Sequence, residues 1–145
     1  MRDLAVLTRN YRNYLDKAIQ AGGPVTFCSN MRWTSAHAAL TAGRPVIVYI
    51  VPEGGTGQVE YEGKIETILL APFTDPVTVE NLLAKSMDAA VRAGLESGSI
   101  ETIYSIVDLH KLAEPFPQTK LLKISDGKPV SENYIRGYCL VAPMK

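Results

Sequence analysis

Cysteine, histidine and tryptophan are scarce in this chain of 145 residues, which has two cysteines, two histidines and one tryptophan. Cys28 and Cys139 lie far apart in apolar, strand-like runs, where buried thiols in a reducing compartment are the usual finding. A disulfide between them would require that their strands pair. His37 and His110 have no further histidine or cysteine at the spacing of metal ligands. The sequence therefore predicts two reduced thiols, no metal site and no cofactor.

The motifs of the common enzyme classes are also missing. The chain has no glycine-rich phosphate loop, no H-E-x-x-H helix and no G-x-S-x-G turn. Cys28 with His37 as its base is a formal nucleophile pair, but a thiol in an apolar strand ionises poorly. Glu60, Glu62 and Glu66 alternate along one predicted strand, which indicates a solvated strand face. No residue is predicted to be catalytic.

Long apolar stretches are absent as well. No run approaches the roughly 20 residues of a membrane-spanning helix, and Leu4–Leu7 is too short for the core of a signal peptide. Hydrophobic residues make up 46% of the chain and charged residues 21%, which is a globular composition. We expect one soluble cytoplasmic domain over residues 1–145, with no membrane partner and its oligomeric state left open.

Net charge is zero, but the charges are unevenly distributed. Residues 1–44 carry six Lys and Arg against two Asp and Glu, and residues 116–145 carry five against two. Between them, residues 45–115 carry four against eleven. This pattern indicates either chance together with a solvated acidic helix, or two ends that meet in space and form one basic face. The near-neutral pI of 6.7 argues against a strong non-specific nucleic-acid binder.

Hydrophobic periodicity predicts the secondary structure. Val46–Val51 is an unbroken apolar run, typical of a central strand buried on both faces. Asp75 is the expected cap of the longest helix, and Pro115 and Pro117 are expected to interrupt the chain. Strands are predicted over 1–8, 25–28, 45–51, 58–70, 100–112, 121–124 and 134–141, and helices over 10–21, 34–42 and 76–94.

These elements predict an α+β fold. The strands are not regularly separated by helices, so a repeated βαβ arrangement is excluded. Segments 45–51 and 58–70 should pair as a hairpin, with Gly63 as a candidate bulge. The expected architecture is a curved mixed sheet or open β-pseudobarrel with two or three flanking helices.

A first candidate site surrounds the single tryptophan. Trp33 follows a predicted strand and precedes a short helix, within a polar connection. An indole at a strand end offers either a cover for the core or a flat pocket wall with one N–H donor. The proposed ligand-binding residues here are Ser29, Asn30, Trp33, Thr34 and, on the next strand, Tyr49, with Asn30 reading the edge of a stacked ring.

A second candidate cluster lies near the C-terminus, where cationic and aromatic residues are interleaved. This composition suits either phosphate contact with base stacking or a polar hairpin rim. Lys123, Ser125, Asp126 and Tyr134 are the proposed ligand-binding residues, with Phe116, Lys128 and Arg136 beside them.

The order of these parts resembles the PUA-like superfamily, especially its EVE and YTH-type branch. The similar parts are Phe27–Asn30, Trp33, the helix 35–42, Gly43–Tyr49 with its G-x-x-V-x-x-Y pattern, and the strand Val59–Ile65. Residues 63–66 are also similar to the ASCH branch. The resemblance covers residues 24–72, and the chain departs from it in the long 76–94 helix and the absence of a strongly basic surface.

The resemblance implies a PUA-like pseudobarrel with a cleft that accepts a nucleobase, often modified, flipped out of its strand. The first hypothesis is therefore a non-catalytic module that reads a nucleotide or modified base of RNA or DNA. The alternatives are a small enzyme acting on a nucleotide-like substrate, with Glu66 or Asp126 as base, and a protein-interaction module.

Overall fold

One open sheet of six strands organises the computed structural model, which describes residues 3–55, 57–86 and 90–144. The strand order is β2-β5-β4-β3-β1-β6, and four α-helices accompany the sheet within these residues. The chain is therefore a mixed α+β domain, as predicted. The strands are β1 Leu4–Asn10, β2 Val25–Ser29, β3 Val46–Pro52, β4 Gln58–Leu70, β5 Thr102–Pro117 and β6 Cys139–Val141. The helices are α1 Arg12–Ala21, α2 Thr34–Thr41, α3 Pro76–Leu83 and α4 Ala90–Ser97, and a 3-10 turn spans Gln118–Lys120.

The predicted hairpin of β3 and β4 is confirmed, because the two strands pair antiparallel from Ile47 and Lys64 to Ile50 and Tyr61. All neighbouring strands are antiparallel except β1 and β3, which run parallel. β1 also pairs with β6, so the two ends of the chain meet, as one interpretation of the charge pattern required.

Strand β3 is buried on both faces of the sheet, to which the side chains of its successive residues point in turn. Along β3, Val46, Val48 and Ile50 enter one core cluster, whereas Tyr49 and Val51 enter another. This confirms the central position predicted for that apolar run. The first cluster also contains Trp33 and Tyr104, and the second contains Leu121 and Val130.

The predicted continuous helix over 76–94 is wrong. Its cap is Asp75, which accepts a hydrogen bond from Thr78 N–H at 3.2 Å, but α3 ends at Leu83. The backbone N–H of Thr26 on edge strand β2 donates to Lys85 O at 3.1 Å, and Thr26 forms a bridge with Ser86. This pairing gives backbone groups at the edge of the sheet a hydrogen-bond partner, and it requires that residues 85–86 are not helical. Residues 87–89 lie outside the described ranges.

The C-terminal strands are shorter than predicted. Residues 121–124 form two isolated bridges, and only Cys139–Val141 of segment 134–141 is strand. β5 instead continues through both prolines, with Phe116 opposite Val59 and Pro117 opposite Gln58. A proline is tolerated there because β2 pairs with β5 only as far as Ile106, which leaves the far edge of this part without a strand.

Gly63 lies at an irregularity of the β4–β5 ladder, but the additional residue belongs to β5 rather than to β4. Glu62 pairs with His110 and Lys64 with Val107, and Asp108 takes a left-handed φ of 55°. A Cβ atom at Gly63 would lie 2.5 Å from Ile106 Cγ2 and 3.2 Å from the Val107 carbonyl oxygen. The strands therefore approach each other too closely for a side chain at position 63.

We expect Gly63→Ala to lower the free energy of unfolding by about 1–3 kcal/mol, because the added methyl group overpacks a buried contact. Urea unfolding measures the change. The matched control is Gly137→Ala, since a Cβ there meets no atom within 4 Å. An equal effect of the two substitutions would contradict the close approach of β4 and β5.

Candidate functional site

Trp33 is fixed at the start of α2 by the strand beneath it. Its backbone N–H donates to Thr102 Oγ1 at 3.1 Å, and the Thr102 hydroxyl donates to Met31 O at 2.7 Å. The Ser29 hydroxyl accepts a hydrogen bond from Met31 N–H at 3.1 Å. These contacts turn the chain sharply after β2 and direct the indole into the first core cluster, where it is 0% exposed.

Three aromatic rings form a continuous stack around Trp33. The Tyr104 ring lies 4.1 Å from the indole at an interplanar angle of 23°, and the Tyr138 ring lies 5.1 Å away at 16°. Tyr104 belongs to β5 and is fully buried, and this burial raises the pKa of its hydroxyl. Trp33 thus stacks with two of the protein's own rings, and Tyr138, which is only partly buried, is the outer ring.

Tyr138 faces a cavity of about 380 Å³, which we call the Tyr138 cavity. It brings together three of the four C-terminal residues proposed from sequence. The cavity is lined by Lys123, Ile124, Ser125, Tyr134, Tyr138, Cys139 and Leu140. Asp126 joins them indirectly, because its Oδ2 lies 3.0 Å from Lys123 Nζ.

The ring of Tyr138 is carried by residues 131–138, which we call the 131–138 loop. Thr8 Oγ1 donates to Gly137 O at 2.6 Å, and Tyr134 Oη donates to Tyr138 O at 2.6 Å. Arg9 Nη2 donates to Tyr134 O at 2.7 Å. The backbone that precedes the ring is therefore fixed to β1 at Tyr134 and Gly137, which positions the aromatic wall of the cavity.

Gln118 secures the other end of this loop. Its buried Nε2 donates to Ser131 O at 2.7 Å and to Tyr134 O at 3.0 Å, while its Oε1 accepts from Arg9 Nη2 at 3.1 Å. Arg9 and Gln118 thus form one hydrogen-bonded network under the loop.

The tyrosine and cysteine side chains that line the cavity are neutral, whereas Lys123, which also lines it, carries charge. Burial raises the pKa values of Tyr134, Tyr138 and the Cys139 thiol, so all three stay protonated at neutral pH. A hydrogen bond from the backbone N–H of Lys128, at 2.9 Å, together with Lys123, lowers the pKa of Asp126. The cavity therefore combines aromatic walls with one ion pair at its edge.

The structure does not bring the first candidate cluster together. Tyr49 lies in the second core cluster, away from Trp33, and its hydroxyl accepts a hydrogen bond from Met144 N–H at 2.9 Å. Asn30 and Thr34 are exposed and do not line the Tyr138 cavity. Trp33 backs Tyr138 instead of forming an open wall.

Two further cavities flank this region. The larger, of about 700 Å³, shares Lys123 and Ile124 with the Tyr138 cavity and is otherwise mostly apolar. Another, of about 360 Å³, lies beside Arg32, His37 and Phe73.

The residues that could have formed a catalytic group lie apart from one another. Cys28 packs in a third cluster with Leu82 and Ile103, whereas His37 lines the Arg32 cavity. Glu66 is exposed on β4, and Asp126 forms an ion pair with Lys123.

Cys28 and Cys139 are not disulfide-bonded. The strand of Cys28 pairs with β5 and the strand of Cys139 pairs with β1, so the two strands are not neighbours. Across the described residues, no group of three or more His, Cys, Asp or Glu side chains could hold a metal ion.

Sequence reasoning missed Tyr138, Tyr104, Arg9 and Gln118. Alternation along β5 places Tyr104 on the same strand face as Thr102 and Ile106, so the burial of Tyr104 could have been predicted from the sequence. Tyr138 fell within a predicted strand, and no local pattern indicates that its ring would reach Trp33.

None of the helices in the described residues has the length and apolarity that crossing a membrane requires. No family model matches the chain, and no curated protein matches it either.

Proposed function

We propose that this protein is a non-catalytic recognition module that binds a nucleotide or modified base of RNA or DNA in the Tyr138 cavity. The observation that carries the proposal is the stack of Tyr104, Trp33 and Tyr138, whose outer ring faces that cavity. A planar ring entering the cavity extends this stack as a fourth member.

The stack makes Tyr138 a rigid platform. One face of its ring covers Trp33, so the opposite face or an edge is available to the cavity. Its hydroxyl accepts a long hydrogen bond of 3.4 Å from Ala36 N–H, and its backbone is fixed through Gly137 and Tyr134. Stacking of a base on an aromatic side chain is worth about 1–3 kcal/mol and tolerates any base, because every base has a π-face.

The remaining lining supplies polar groups for the ligand's edge. Ser125 has a hydroxyl that donates and accepts, and Lys123 provides an ammonium donor held near the cavity by Asp126. The Tyr134 hydroxyl is already donated to Tyr138 O. A volume of about 380 Å³ is at the lower end for small-molecule sites, which suits one base and its sugar.

Tyr138→Ala should weaken binding ten- to a hundredfold, because it removes the stacking platform. The probes are the four ribonucleoside monophosphates and short single-stranded RNA and DNA oligonucleotides with ordinary or modified bases. Trp33 is the single tryptophan and lies directly behind Tyr138, so its fluorescence reports ligand binding, with calorimetry as the second measurement.

Tyr138→Phe is the matched control, since it keeps the ring and loses only the hydroxyl that accepts the long hydrogen bond. It should bind within about threefold of the wild type, a difference below 1 kcal/mol. Circular dichroism of both variants checks that the fold is retained. A wild type that binds none of these probes would end the proposal.

A further inference from the structure

We infer that the ligand is a nucleotide within a single strand, whose phosphates are contacted by Lys128 and Arg136 beside the Tyr138 cavity. This inference rests on the proposed function and specifies the class of ligand. It is carried by the charges around the cavity rather than by its aromatic walls.

Cations outnumber carboxylates in the segment that builds the cavity. Residues 118–138 contain Lys120, Lys123, Lys128 and Arg136 against Asp126 and Glu132. Arg9 adds a fifth positive charge beneath the 131–138 loop, where its guanidinium donates to Tyr134 O at 2.7 Å. The segment that builds the cavity therefore carries a net positive charge.

These cations differ in the contacts that they make. Lys123 is engaged with Asp126 at 3.0 Å, and Arg9 with Gln118 and the loop backbone. The side chains of Lys128 and Arg136 are exposed and form no ion pair within the described ranges. Lys128 lies beside the rim of the cavity, because its backbone N–H donates to Asp126 Oδ1 at 2.9 Å and its carbonyl oxygen accepts from Lys123 N–H at 2.9 Å. Arg136 belongs to the 131–138 loop, between Tyr134 and Tyr138.

Three other surface cations are paired with carboxylates. Arg12 is bound to Glu60, Arg32 lies 3.6 Å from Glu101, and Arg92 lies 3.3 Å from Glu80. Residues 45–115, to which those three carboxylates belong, carry seven more negative than positive charges, from four Lys and Arg against eleven Asp and Glu. A polyanionic strand is repelled by that region and attracted to the C-terminal segment.

A base can stack on Tyr138 only when it is unpaired, because a base inside a duplex exposes no face. Single strands meet this condition, and their binding combines stacked bases with cations along the backbone. Arg136 precedes Tyr138 by two residues, and its guanidinium can hold a phosphate through two parallel hydrogen bonds.

The test is the salt dependence of binding to a short single-stranded oligonucleotide. Two phosphate contacts predict a slope of about −1.4 for the logarithm of the association constant against the logarithm of salt concentration, or about sevenfold weaker binding at 200 mM than at 50 mM. Arg136→Gln and Lys128→Gln should each flatten the slope by about 0.7. Lys85→Gln is the control, because Lys85 lies beside β2, at the sheet edge opposite β6.

The wild type should also bind the oligonucleotide more tightly than the nucleoside of the same base. Equal affinity for the two, or slopes that neither rim substitution changes, would overturn this inference and leave base recognition intact. A wild type that binds neither the nucleoside nor the oligonucleotide would overturn the proposed function as well.

Discussion

Trp33→Ala should lower the free energy of unfolding by about 3–5 kcal/mol, the usual cost of removing a large buried aromatic side chain. The indole is fully buried and in stacking contact with Tyr104 and Tyr138, so its removal leaves a cavity and ends two ring contacts. Urea unfolding followed by circular dichroism gives the value, since the variant has no tryptophan left for fluorescence.

Trp33→Phe is the matched control. The indole Nε1 has no hydrogen-bond partner within the described part of the chain, so a phenyl ring gives up no bond there. We expect a clearly smaller loss of stability than for alanine. A Trp33→Ala variant as stable as the wild type, but unable to bind a base, would instead show that the indole is itself the pocket wall.

Gln118→Ala should lower the free energy of unfolding by roughly 2–3 kcal/mol, because polar groups left unpaired in the interior cost about 1–3 kcal/mol each. The side chain is 1% exposed and joins Arg9 to the carbonyl groups of Ser131 and Tyr134. The same substitution should also weaken base binding, because the hydrogen bonds that it removes hold the 131–138 loop, which carries Tyr138.

Thr119→Ala, in the same 3-10 turn but exposed, is the control and should change stability by less than about 0.5 kcal/mol. A double-mutant cycle with Arg9→Ala should give a coupling energy of about 0.5–3 kcal/mol. Strict additivity of the two substitutions would mean that Arg9 and Gln118 do not interact in solution.

Local sequence patterns were sufficient for most strands and for α1 and α2. Alternation over 58–70 and the apolar run Val46–Val51 indicate which residues are buried, and the glycines at positions 54, 55 and 57 of the sequence between them favour a hairpin turn. The same patterns failed over 76–94, because the apolar spacing there is helical throughout. The break is imposed by the distant edge strand β2, which no local window contains.

The candidate site was predictable only in part, for a similar reason. Lys123, Ser125 and Tyr134 lie within twelve residues of one another, so their cationic and aromatic interleaving is visible in the sequence. The Trp33–Tyr138 contact joins residues more than a hundred positions apart and depends on Thr8, Arg9 and Gln118. Tyr49 was misplaced because alternation leaves open which strand face meets α2.

The pairing of β1 with β6 also determines the order in which the site is completed during protein synthesis. Gly137, the hydrogen-bond partner of Thr8, is synthesised 129 residues after it. At the usual rate of translation this takes on the order of ten seconds. The ring contact between Trp33 and Tyr138 cannot form until Tyr138 has been synthesised, so the burial of the indole is completed only when nearly all of the given sequence has been made.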